Sequence, residues 1–370
     1  LLIEWRTMTG GQNGLMNIAQ PGFGFGLDGE RVYFLLHQGA QRIVHHPVPE
    51  LDGDAGESPG YDGEGEVSPA ALRARIGHSR RAGIRHQRHG LALGQQADDI
   101  PALMTDLYRS TQGMSLKGPV RNAFSGLDIA LWDIKGKAER SPIWKLLGGD
   151  GSRKRIPAYA SLLRTGKAEH VIRLCTSAKE RGYRHIKLHE RNEEVVEAVA
   201  RARATVGPDI DLMLDTNCAW LPEQVMDMTR ALLPYGLKWL EEPVYPPDDF
   251  TTLALVREAT GIPIAAGENL GTVQEFGRMI DAGAVDYIQP DVGKFGGICE
   301  MTKAADLAHA RGVHFAPHSP VFGPGLISTL HIAAAMRAET ICEYYYCDLA
   351  DSPMGDWAIP REGHFRIPDG

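Results

Sequence analysis

From Arg155 onward the chain repeats one pattern: a short apolar strand, a polar or acidic residue where it ends, then an amphipathic helix. The strand ends fall near Ser161, His189, Asp215, Glu241, Glu268, Asp291, His318 and Glu343. After the first of these the interval is roughly 25 residues, the length of one strand-helix unit in an eightfold barrel. Gly and Pro punctuate the connections, at Gly182, Gly207-Pro208, Gly261-Ile262-Pro263 and Gly312. Such a repeat predicts an α/β fold with a parallel barrel, in which whatever stands at the strand ends converges on one face.

The sequence before the repeat differs in character. Residues 98–149 read as helices, with apolar positions at helical spacing from Asn122 to Ala138 and a stop at Leu146-Leu147-Gly148-Gly149. Before about residue 97 the text is hard to read. Gly22, Gly24 and Gly26 alternate with apolar residues, residues 51–66 are rich in Gly, Asp and Glu, and residues 73–88 form a basic run with Arg80-Arg81 and Arg85-His86. Two readings fit this region: a loop-rich domain with a solvated basic face, and a locally shifted reading frame, which in a GC-rich gene yields excess Arg, His, Gly and Ala. The three glycines lack the spacing and the strand-helix context of a nucleotide fingerprint.

Composition narrows the classes. A net charge of -8 argues against nucleic acid as a partner. No apolar run approaches the length that spans a bilayer. The 5 cysteines are scattered and form no CxxC, so neither a disulfide framework nor a zinc site is expected, and a reducing cytoplasm is. Leu1-Leu2-Ile3-Glu4-Trp5-Arg6 does not read as a secretory leader, and the chain, without an initiator Met and stopping at Pro368-Asp369-Gly370, reads as a fragment at one or both ends.

Three consecutive units end in a carboxylate: Asp215, Glu241 and Glu268. Converging acids repel unless a cation sits between them, and hard oxygen donors without Cys or neutral His suit Mg²⁺. Glu242, beside Glu241, is expected to point the other way as a structural acid. The next two units bring Asp291 and His318; a carboxylate behind an imidazole fixes its tautomer and raises its basicity, which makes a general-base dyad. Alternation along His185-Ile-Lys-Leu-His189 lets Lys187 and His189 both reach the mouth. His189, with an ordinary pKa near neutrality, is assigned acid/base work, and Lys187 the neutralisation of a substrate carboxylate. Glu343, if protonated, would donate a hydrogen bond to that carboxylate. Asn217 and Asn269, just past two of the acids, are expected to bind substrate.

Taken in order, Lys187-x-His189, Asp215-x-Asn217, Glu241-Glu-Pro243, Gly267-Glu-Asn269, Asp291-x-x-Lys294, His318 and Glu343 resemble the mandelate racemase branch of the enolase superfamily. The resemblance runs from about Phe124 to the end of the chain. It implies a modified (β/α)7β TIM barrel with an α+β capping domain, placed at residues 1–125 (capping), 126–350 (barrel) and 351–370 (returning to the cap). It implies Mg²⁺ on Asp215, Glu241 and Glu268, an enediolate formed by α-proton abstraction, Asp291 with His318 as base, Lys294 as support, Glu343 as electrophilic donor, and a homo-oligomer. Many members carry Lys where His189 stands. The expected activity is dehydration of a sugar acid to a 2-keto-3-deoxy acid. A racemase or epimerase, a lactone cycloisomerase, and a catalytically inactive barrel used for binding are the alternatives.

Overall fold

The computed structural model describes three strands within residues 1–94, and residues 99–113, 117–191, 194–348, 354 and 358–368. The chain divides into two compact units, Leu1–Gly94 and Gln95–Gly370. In the first, β1 (Leu2–Glu4), β2 (Phe23–Asp28) and β3 (Arg31–Leu36) form an antiparallel sheet in the order β1-β3-β2. Gly24 and Gly26 thus belong to a strand that pairs with β3. The acidic stretch 51–66 and the basic run 73–88 lie outside the described residues.

The second unit opens with helices α1 (Ile100–Thr111), α2 (Pro119–Ala138) and α3 (Ile143–Leu146). Asp99 caps α1 by accepting from the Ala102 N–H, and Pro119 starts α2 where its missing donor costs nothing. Helix α2 runs unbroken from Pro119 to Ala138.

Eight parallel strands follow: β4 (Arg155–Ser161), β5 (His185–His189), β6 (Asp211–Asp215), β7 (Trp239–Glu241), β8 (Ile264–Ala266), β9 (Tyr287–Ile288), β10 (His314–Phe315) and β11 (Cys342–Tyr345). They pair in the order β10-β9-β8-β7-β6-β5-β4-β11. The seven connections are helical: α4 (Ala168–Glu180), α5 (Val195–Val206), α6 (Pro222–Leu232), α7 (Phe250–Thr260), α8 (Val273–Asp281), the pair α9 (Val292–Phe295) and α10 (Gly297–Arg311), and α11 (Pro324–Ala335). This is the (β/α)7β arrangement.

Among the described residues no backbone ladder joins β10 to β11. Side chains cross the seam instead: Thr340 Oγ1 donates to the Phe315 carbonyl at 2.6 Å, and the Ser319 N–H donates to Glu343 Oε2 at 2.7 Å. The C-terminal stretch ends in one further strand. Its strand β12 (His364–Arg366) pairs antiparallel with β4, placing the wholly buried Phe365 opposite Ile156.

The barrel interior is a layer of Tyr159, Met213, Trp239, Ala265 and Ala316, joined by Tyr287 and Ile341. Trp239 meets Tyr159 edge to face at 5.7 Å, closing the barrel beneath the strand ends. Side chains alternate along a strand, so the residues two further on face the same interior one step nearer the mouth. Among the described residues no helix is long and apolar enough to cross a membrane.

Candidate active site

That next step carries the chemistry. Asp215 ends β6 and stands in register with Glu241 at the end of β7. Glu268 follows β8 through Gly267, whose φ of 125° suits glycine and where a Cβ would run into the Phe276 ring. The turn brings Glu268 back to its neighbours, and one carboxylate oxygen from each of Asp215, Glu241 and Glu268 lies within 4.8 Å of the others. Three hard oxygens from adjacent strands at this spacing fit a small divalent cation that prefers oxygen.

Glu242 turns away, as expected of a structural acid, at a φ of 40°. It accepts from the Gly267 N–H at 3.2 Å, Cys218 Sγ at 3.1 Å and Asn269 Nδ2 at 2.5 Å. Burial, then the charge of Glu268, pushes its carboxyl up to about 7.

Lys187 lies in the middle, wholly buried. Its Nζ is 2.6 Å from Glu241 Oε1, 3.1 Å from Glu343 Oε1 and 3.9 Å from Asp215 Oδ2. Burial disfavours the ammonium, but the surrounding carboxylates outweigh it and hold the amine charged well above its ordinary range. Burial also pushes Glu241 up, to about 7, against the pull of Lys187.

The two imidazoles flank the acids. His189 sets Nδ1 2.7 Å from the Leu162 carbonyl and Nε2 3.1 Å from Asp215 Oδ2. Burial lowers its pKa, and the bond to Asp215 more than reverses that. His318 sets Nδ1 2.7 Å from Asp291 Oδ2 and Nε2 2.7 Å from Glu268 Oε2. Here too burial is outweighed, by Glu268 and Asp291, and the ring is held charged. Asp291 also accepts from the Gly293 N–H at 2.7 Å, and Lys294 Nζ lies 4.0 Å from it. His185, on the same side of β5, stays apart with Asp211 at 2.8 Å.

Three of the expected site residues already have close partners. Around Glu343 the neighbouring groups oppose the protonated form. Burial favours the acid form, but Lys187, His318, the Ser161 hydroxyl at 2.6 Å and the Ser319 N–H at 2.7 Å hold it ionised, well below the ordinary glutamate range. Asn217 and Asn269, expected to face substrate, have their amides engaged by site acids. Asn217 donates its N–H to Asp215 Oδ1 at 2.7 Å and Nδ2 to Oδ2 at 2.9 Å, while its Oδ1 accepts from Arg164. Asn269 Nδ2 serves Glu242 and, at 3.5 Å, Glu268.

The strand periodicity did not disclose the loop after β4. Leu162 orients His189, Arg164 reaches Asn217, and the buried Glu190 holds the loop by accepting from Thr165 N at 3.1 Å and Gly166 N at 3.2 Å. An acid directly after His189 was the available signal.

Residues 170–370 match the enolase C-terminal domain-like family, and residues 57–148 the mandelate racemase / muconate lactonizing enzyme N-terminal domain. Among relatives, the D-galactarolactone cycloisomerase of Agrobacterium fabrum is 33% identical, over 76% of this chain and 78% of its own. The arabinonate dehydratase of Saccharolobus solfataricus is 30% identical, over 88% of each chain. A racemase from Streptomyces coelicolor A3(2), solved with bound magnesium, superposes with a TM-score of 0.66 at 29% identity, covering 76% of this chain and 79% of that one. Matches to both domains, the (β/α)7β order and the carboxylate trio place this chain in the mandelate racemase/muconate lactonizing enzyme family of the enolase superfamily.

Proposed function

We propose that the protein binds Mg²⁺ and removes the α-proton of a sugar acid, completing the reaction by dehydration to a 2-keto-3-deoxy acid. The observation that carries this reading is the oxygen trio Asp215, Glu241 and Glu268 with an imidazole at each flank, His189 on Asp215 and His318 on Glu268. When bound, Mg²⁺ supplies a Lewis acid that polarises the substrate carboxylate.

The chain's own groups do the rest. Asp291 fixes Nδ1 of His318, leaving Nε2 as the atom that moves a proton. Were Glu268 to hold the cation, that cation would compete with Nε2 for the Glu268 oxygen, leaving Asp291 as the ring's remaining acid partner. Lys187 sets a buried positive charge where the enediolate's negative charge develops. Glu343, ionised, holds Lys187 in place. In dehydration the α-carbon loses its proton to imidazole, and the β-hydroxyl takes a proton as its bond to carbon breaks. Water leaves, and the enol becomes the keto acid. The His189 Nε2 and His318 Nε2 positions supply the two proton carriers this needs.

The named relatives support acid sugars as the class, one by dehydration and one by cycloisomerisation. A cycloisomerase shares the first step and differs in which oxygen departs. The test is α-proton exchange in D₂O together with semicarbazide detection of keto acid, across aldonates, aldarates and their lactones, with Mg²⁺ and with EDTA. Keto acid formed only with Mg²⁺ is expected. Exchange with ring opening or inversion and no keto acid overturns dehydration. No exchange on any acid by folded, Mg²⁺-loaded protein points to a binding barrel.

A further inference from the structure

Two residues beyond the core layer, the inward positions are Ser161 on β4, Asp215 on β6, Glu241 on β7, Gln289 after β9, His318 after β10 and Glu343 on β11. Five of the six have partners. Ser161 bonds Glu343, Asp215 bonds Asn217, Glu241 takes Lys187 and the Trp239 indole N–H at 2.8 Å, and His318 lies between Asp291 and Glu268.

Gln289 is the exception. It is wholly buried, and among the described residues neither Oε1 nor Nε2 has a hydrogen-bond partner. Its backbone is secured, the N–H donating to the Ala266 carbonyl at 2.9 Å, so the strand edge does not use the side chain. A buried carboxamide without partners weakens a fold, and a Leu or Met would serve packing better. The Tyr159 hydroxyl, in the layer beneath, is likewise buried and without a partner among the described residues.

We propose that the Gln289 carboxamide is a substrate-contacting group that reads a hydroxyl on the bound acid. The inference rests on the sugar-acid reading above and assigns the group that reads one of the acid's hydroxyls. A carboxylate oxygen can only accept and would leave Oε1 unpaired. A hydroxyl meets both atoms, giving its proton to Oε1 and accepting from Nε2. Being neutral, the amide does so without disturbing the balance among Lys187, the imidazoles and the acids.

The test compares the Mg²⁺-loaded wild type with Gln289→Met, which keeps the volume and removes both hydrogen-bonding atoms. Melting temperature is measured without substrate, and α-proton exchange is measured on the sugar-acid panel, arabinonate included, and on monodeoxy analogues of the best substrate. The variant is expected to melt at or above the wild type, while its kcat/KM for exchange falls about tenfold or more. The wild type should reject one monodeoxy analogue by about tenfold or more, and the variant should lose that discrimination. A lower melting temperature, exchange within twofold of wild type, or retained discrimination overturns the inference and leaves the functional reading standing. A wild type that exchanges no acid removes both.

Discussion

Lys187 holds together a group of acids that would otherwise repel. Replacing it with Met leaves Glu241 and Glu343 buried without their cation, and breaking such a pair from one side costs about 3–5 kcal/mol. Lys187→Met is therefore expected to melt well below wild type in EDTA and to recover part of the loss in Mg²⁺, a larger metal-induced shift than the wild type shows. Equal shifts in thermal melts with and without metal would argue that Lys187 and the metal do not share a charge balance. At this scale the sequence was legible where residue type alone implies chemistry. Acids at three successive strand ends do gather within 4.8 Å, and Asp291 does lie 2.7 Å from His318. It was not legible where partners decide. The charge on Glu343 depends on Ser161, Lys187 and a backbone N–H of Ser319, which come from separate parts of the chain. Whether Asn217 and Asn269 face substrate or the acids depends on turns that carry no periodic signal.

Among the elements, the joint between α2 and α10 positions the segment after the dyad. Asp128 Oδ1 accepts from the Ile298 and Cys299 N–H groups, 2.5 and 3.2 Å away, at the start of α10, and Gly297 comes so close that a Cβ would strike that carboxylate. Arg121 fastens the same turn through the Phe295 carbonyl at 2.9 Å and Glu300 at 2.8 Å. Burial pushes Asp128 up to about 6, with the bonds from Cys299 and Ile298 opposing. A carboxyl raised above its unfolded value contributes stability that is complete below about 4 and lost as pH rises through about 6. Asp128→Asn, neutral throughout, should therefore gain on wild type as pH rises from 4 to 7, by up to about 3 kcal/mol. Chemical denaturation at both ends of that range reads the difference, and a gap that does not widen with pH refutes it. The helix itself was legible from apolar spacing between Asn122 and Ala138. Its clamp on α10 was not, because a buried Asp in a helix looks the same in sequence whether it caps a distant helix or lines a cavity.

For the molecule as a whole, strand count and order followed from the repeat, since a parallel strand feeding a helix leaves few ways to close. The shortness of β8, β9 and β10 was not apparent: Gly267, Pro290 and Pro317 interrupt their ladders before the functional residue arrives. Nor was the destination of the chain's last strand. Because β12 covers β4 with the buried Phe365, Phe365→Ala should cost the barrel about 3–5 kcal/mol, as large aromatic truncations in cores do. An urea midpoint unchanged by that substitution would mean that β12 contributes nothing to the barrel.

The seam between β10 and β11 has a mechanical meaning. A hoop fastened by backbone bonds everywhere but one place opens there first, and His318 and Glu343 stand on the two lips of that opening. The Ser319 amide hydrogen, which crosses the seam to Glu343, should then exchange with solvent sooner than those of β5 to β7, and a bound acid spanning the lips should slow it. What keeps the imidazole and the carboxylate together is therefore a pair of side-chain bonds, from Thr340 and to Glu343, and not a strand ladder.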